Sequence, residues 1–132
     1  MIEAALMCLA LNVYFEARND SMVGQYAVAQ VVMNRVQSSK FPNDVCSVVK
    51  QSRNDGTCQF SWYCDGKSDQ PKNERVYNRL VSFSRHILSN IINTKQIDIT
   101  DGALFYHANY VSPSWSKTKQ KTTEIGVHVF YR

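Results

Sequence analysis

Apolar residues recur at Ala5, Leu6, Leu9 and Val13, a spacing that predicts a helix over 4–15 with one wide buried face. Polar Arg18-Asn19-Asp20-Ser21 interrupts the pattern, and the Ser21 hydroxyl can cap a second helix from about 22 to 37. That helix should bury Tyr26, Ala29, Val32, Met33 and Val36. Phe41-Pro42-Asn43-Asp44 stops the chain and restarts it, with Asn43 or Asp44 capping a short helix through Val49. From Lys50 to Gln70 the helical period disappears. Asn54-Asp55-Gly56 is a turn, and the aromatic, β-compatible run from Thr57 to Tyr63 predicts a small irregular hairpin or lobe. Pro71 is expected to open a long helix striped by Val76, Leu80, Phe83, Ile87 and Ile91. Thr100-Asp101-Gly102 then turns the chain into a short extended segment over 103–107, and after a polar loop Ile125 to Tyr131 reads as a final strand. The pattern predicts a helix-dominated α+β fold in one domain, 1–132, long enough to bury a core.

Composition changes this picture little. Charged and apolar fractions are ordinary for a globular protein. No run approaches the roughly 20 apolar residues of a membrane helix, so no stable membrane insertion is expected. Met1-Ile2-Glu3-Ala4-Ala5 lacks the basic region of a signal peptide, so the chain reads as made in the cytoplasm without its own leader. The net charge of +4 favours acidic partners, but the basic residues are scattered. Only Lys117, Lys119 and Lys121 cluster, and they read as a solvated loop rather than a nucleic-acid patch. Among the four cysteines, Cys8 lies on the apolar face of the first helix and reads as a small core residue. Cys58 and Cys64 bracket Gln59 to Tyr63 and could bridge, with Cys46 a rival partner for either; such a bond persists only in an oxidising compartment.

The candidate chemistry starts at Glu16. It ends the stretch Leu11-Asn12-Val13-Tyr14-Phe15, where apolar neighbours can raise a carboxyl's pKa and a helix end can leave it accessible. Local sequence alone equally allows an ordinary surface ion pair with Arg18. Glu16-Ala17-Arg18, Gly24-Gln25, the run from Ala27 through Asn34-Arg35 to Val36, and Phe41-Pro42 follow in order. So do Gln59-Phe60-Ser61-Trp62, Phe105-Tyr106-His107, Pro113-Ser114-Trp115 and Gly126-Val127-His128-Val129-Phe130-Tyr131. Together these resemble the SleB/CwlJ-type cell-wall hydrolases over nearly the whole chain. The resemblance implies a lysozyme-like fold, cleavage of the peptidoglycan glycan, and Glu16 as the catalytic acid. One departure is visible: Asn19-Asp20 stands where the family commonly has glycine-glutamate.

Gln59, Ser61 and Trp62 are candidates for one wall of a glycan groove, with Tyr106, His107, Tyr110 and Trp115 for the other. Packing is the alternative duty of each aromatic. Gln25 could meet Glu16 across the helix junction or lie on the surface, and Arg35 could hold the loop that bears Glu16. Asp20, Asp65, Asp69 and Asp101 are available as a second carboxylate, yet none is singled out by its setting. The family resemblance and the missing partner together favour a lytic transglycosylase route through the muramic acid 6-hydroxyl, giving 1,6-anhydro ends, over ordinary muramidase action. His86, His107 and His128 lack a metalloprotease-like spacing, so a zinc amidase is the weaker reading. No cofactor or metal is expected, and the expected form is a monomer. A phage endolysin acting on the wall from the periplasm or outside fits this reading. A non-catalytic glycan-binding module is the alternative from another class.

Overall fold

A computed structural model describes residues 2–93 and 97–132. The chain forms α1 (Ile2–Ala17), α2 (Met22–Gln37), α3 (Val45–Val49), α4 (Glu74–Asn93), β1 (Phe105–Ala108), β2 (Lys121–Ile125) and β3 (His128–Tyr131). Short 3-10 turns cover Ser61–Cys64 and Ser114–Lys117. Local chemistry accounts for the helix starts. Ser21 Oγ accepts from the Gly24 N–H at the head of α2, and Asp44 accepts from the Ser47 N–H at the head of α3. Pro71 does not open α4. Asn73 does, its Oδ1 accepting from the Val76 N–H, while the Tyr14 hydroxyl accepts from the Asn73 N–H.

The main core joins all four helices. Leu6, Leu9 and Val13 of α1 pack with Val32 and Met33 of α2, Val45, Val48 and Val49 of α3, and Leu80, Ile87 and Leu88 of α4. On α4 the buried line shifts toward Ser84 and Leu88, leaving Val76, Phe83 and Ile91 half-buried. The second helix is buried nearly all round, with Tyr26 and Val36 at its margins. Its second face, through Ala27 and Val31, packs against Ala103 and Phe130. A helix covered on both sides needs apolar residues beyond one stripe, and the run Ala27-Val28-Ala29-Gln30-Val31-Val32 supplies them.

The covering layer is a three-stranded antiparallel sheet in the order β1-β3-β2. Tyr106 lies opposite Phe130, and His107 opposite Val129. The segment expected as a single final strand is thus the end of a hairpin: β2 starts at Lys121, and the chain reverses at Gly126, whose φ is +59°. A Cβ on Gly126 would also collide with the Asp20 carboxylate, as would one on Gly24. These two glycines make room for that side chain, which accepts from the Ser21 and Val127 N–H groups and pairs with His128 at 3.3 Å.

The 50–70 segment is less regular than the expected hairpin. It holds one antiparallel bridge, Ser52 to Cys58, closed over the Gly56 turn, and then the 3-10 turn. Cys58 and Cys64 are joined across it. The other two cysteines correct the sequence reading, because Cys8 is not a free core thiol. It is bonded to Cys46, linking α1 to α3 across a separation of 38 residues.

Candidate active site

Glu16 occupies the last turn of α1, where unpaired carbonyls at the helix end oppose a negative charge. Three recesses open on it. The first holds about 600 Å³ and runs past Arg35, Gln59 and Ser61 between Phe41, Phe105 and Trp115. The second, about 660 Å³, runs past Ser61 and Trp62 toward Arg18, Lys67 and Lys72. The third, about 340 Å³, lies toward Asp20, Tyr110 and Val127. Each of the first two has the size of a small-ligand site. A separate apolar groove between α1 and α4, lined by Leu6, Leu88 and Ile92, is smaller at about 230 Å³ and contains none of this chemistry.

The carboxyl itself is tightly held. The Tyr106 hydroxyl, delivered by β1, donates to Glu16 Oε1 at 2.6 Å. Burial pushes the Glu16 pKa above its ordinary value, against the weaker pull of the Tyr106 bond and of the nearby Arg35 charge. Tyr106 is raised well above 10, chiefly by burial and then by Glu16, so its hydroxyl keeps its proton and remains a donor. Arg35 is buried. Its Nε donates to the Leu104 carbonyl at 2.7 Å, and its guanidinium lies 4.8 Å from the Phe41 ring, 5.0 Å from Phe60 and 5.5 Å from Phe105. Burial pulls its pKa down, and both Tyr106 and Glu16 pull it back up. A carboxyl whose pKa is raised, beside a buried cation, can give up a proton and hold the resulting carboxylate.

Tyr106→Phe removes the donor and keeps the ring. Because the Tyr106 bond lowers the Glu16 pKa, the alkaline limb of the pH–activity profile should move upward in the variant. The lost bond should lower kcat about tenfold to a hundredfold. An unshifted limb would show that the hydroxyl does not bear on the acid.

The other expected residues divide. Gln59, Ser61, His107 and Trp115 line the first recess, and Ser61 is shared with the second. Trp62 is mainly a core residue: its indole N–H donates to Asn12 Oδ1, and Phe15 stacks on its face at 4.8 Å, so only its margin reaches the second recess. Gln25 is turned away from the recesses. Its buried amide donates to the Ala17 and Arg18 carbonyls, holding the chain just after Glu16. Tyr110 is 83% exposed and faces the third recess, not the first. His107 does not pair with His128. Its ring bonds the Tyr131 hydroxyl and the Ala108 carbonyl, whereas His128 bonds Asp20 and packs edge-on against Tyr106 at 5.1 Å. Burial holds the His128 pKa below its usual value despite Asp20. His86 is exposed on α4, and among the described residues no three metal-ligating side chains converge.

Of the four candidate second carboxylates, Asp20 and Asp65 reach a recess that contains Glu16. Asp20 is engaged elsewhere as described, whereas the exposed Asp65 gives only its Oδ1, to the Lys67 N–H of a turn. Asp101 pairs with Arg132 at 3.7 Å. Arg35 is the site residue that the sequence reading undervalued; an arginine ending an otherwise apolar helix was the available signal.

A family model described as cell wall hydrolase matches residues 19–131. The chain belongs to the cell wall hydrolase family. Within it, the spore cortex-lytic enzyme of Bacillus cereus is 31% identical over 126 residues, 95% of this chain and 43% of that protein. The spore cortex-lytic enzyme of Bacillus subtilis is 30% identical over 123 residues, 92% of this chain and 35% of that one. The chain therefore spans less than half the length of these relatives. The catalytic domain of the germination-specific lytic transglycosylase SleB from Bacillus anthracis superposes with a TM-score of 0.70 at 29% identity. The match covers 97% of this chain and 93% of that domain. The SleB catalytic domain of Bacillus cereus gives 0.69 at 28% identity, covering 98% and 91%. The cell wall hydrolase fold thus accounts for the helix-rich core and the small sheet together.

Proposed function

We propose that this cell wall hydrolase domain cleaves the β-1,4 bond between N-acetylmuramic acid and N-acetylglucosamine as a lytic transglycosylase. The observation that carries this reading is the position of Glu16: a carboxyl with a raised pKa, bonded to Tyr106, where three recesses meet. A glycan strand lying through the first two recesses would pass its linking oxygen over this acid. Glu16 donates its proton to that oxygen, the bond to the muramic anomeric carbon breaks, and the N-acetylglucosamine hydroxyl leaves. The Glu16 carboxylate, stabilised by Arg35 and Tyr106, then takes the proton of the muramic 6-hydroxyl as that oxygen bonds to the anomeric carbon. The products are a free 4-hydroxyl end and a 1,6-anhydro end, and Glu16 is again protonated. Asp69 and Asp101 line none of the three recesses, and Asp20 is bound to His128 and two backbone N–H groups. This favours the one-carboxylate route over a two-carboxylate hydrolysis, as does the described activity of the Bacillus anthracis domain.

Two disulfides suit work outside a reducing cytosol, on the wall itself. Among the described residues no helix is long and apolar enough to cross a membrane. Mass spectrometry of digested peptidoglycan tests the proposal. Anhydro-muramic ends are expected; reducing muramic ends would replace it with muramidase action, and freed stem peptides would overturn both.

A further inference from the structure

Peptidoglycan sugars are neutral where the stem peptide caps the lactyl group, so the negative charge of intact strands sits on that peptide. The first recess has the opposite sign. Lys40, Arg53 and Lys119 line it together with Arg35, and Glu16 is its one carboxyl. Three basic residues outside the recess pair with acids, Arg85 with Glu3, Lys121 with Glu124, and Arg132 with Asp101, and among the described residues most of the rest have no acidic partner. What sets Lys40, Arg53 and Lys119 apart is that they share one recess. Among the described residues, Lys40, Arg53 and Lys119 have no carboxylate within 4 Å. Asp55, close to Arg53 in sequence, commits its Oδ1 to the Thr57 N–H and hydroxyl, and the Arg53 charge acts on it less than those two bonds do. Lys119 is positioned rather than free-swinging, its Nζ 3.8 Å from the centre of the Phe105 ring. The second recess differs, because Asp65 stands among its cations.

Resting on the glycan-cleaving reading above, we infer that Lys40, Arg53 and Lys119 bind stem-peptide carboxylates, so the preferred substrate is glycan bearing free, unamidated stem acids. The sugar then lies along Phe105, Trp115 and Gln59, and the peptide leaves the recess past the three cations. Partly exposed ion pairs are individually weak, but three acting together discriminate usefully.

The test uses soluble peptide-bearing glycan strands in two forms, native and with stem carboxylates converted to methylamides by carbodiimide and methylamine. The wild-type protein should show a kcat/KM about tenfold higher on native strands, mostly through KM, with the ratio shrinking as salt is added. In the Lys40→Gln/Arg53→Gln/Lys119→Gln variant the ratio should fall to about one. Equal wild-type rates on the two forms would overturn this inference and leave glycan cleavage standing. A ratio retained by the triple variant would overturn it as well. Cleavage of neither form would sink the underlying reading and this one with it.

Discussion

Glu16→Gln should abolish measurable wall lysis while leaving the fold intact, with turnover lowered by about 10²–10⁴-fold or more. The amide keeps an oxygen for the Tyr106 hydroxyl, so the geometry of the last turn of α1 survives. It has no proton to give and cannot serve afterwards as a base. Stability should move the other way. The folded Glu16 pKa lies above its ordinary 4.5, so the native state holds the proton more tightly than the unfolded chain. The stability from that proton is fully present below about 4.5 and is lost as pH rises through the raised folded value. The Gln variant has no such loss. Its melting temperature should match the wild type in acid and exceed it at neutral pH. A variant that retains lytic activity would remove Glu16 from the mechanism, and equal melting at neutral pH would mean that the carboxyl is not desolvated.

The largest effect on stability should come from the bond between Cys8 and Cys46. It closes 38 residues and ties the first helix, which bears Glu16, to α3. Constraining a loop of that length in the unfolded chain contributes about 4 kcal/mol in the chain-entropy account. Cys8→Ala/Cys46→Ala should therefore lower the melting temperature by on the order of 10–15 °C for a domain of this size. Cys58 and Cys64 close only six residues, and on the same account contribute about 2 kcal/mol. That bridge encloses Gln59, Ser61 and Trp62, so its loss should loosen one wall of the site and reduce activity more than stability. Thermal melts of the two double variants, beside their rates on glycan strands, separate the roles. If the Cys8/Cys46 variant melted with the wild type, the entropic account would fail here.

The helices were legible because their signals are local. Ser21 and Asp44 announce their caps, and the α1 stripe follows from apolar spacing alone. Pro71 misled because a proline favours the first helical turn without requiring one; Asn73, two residues on, has the side-chain oxygen that α4 uses. Ile125 to Tyr131 looks like one strand because its apolar residues run on through the reversal. Gly126 was the local mark of the turn, and the Asp20 carboxylate that also excludes a side chain there lies more than a hundred residues earlier in the sequence. Cys8 could not be paired by inspection, since its partner depends on how α3 lies against α1. The same limit hid the duty of Arg35, whose contacts come from Phe41, Phe60, Leu104 and Phe105. Glu16 stood out through family likeness, but the hydroxyl that holds it did not.

That hydroxyl comes from a residue 90 positions further along the chain. β1 is held in place by its pairing with β3, so the donor reaches the acid only once that sheet has formed. A fragment that stopped short of β3 would thus have the tooth without the jaw, and is expected to be inert even with Glu16 intact.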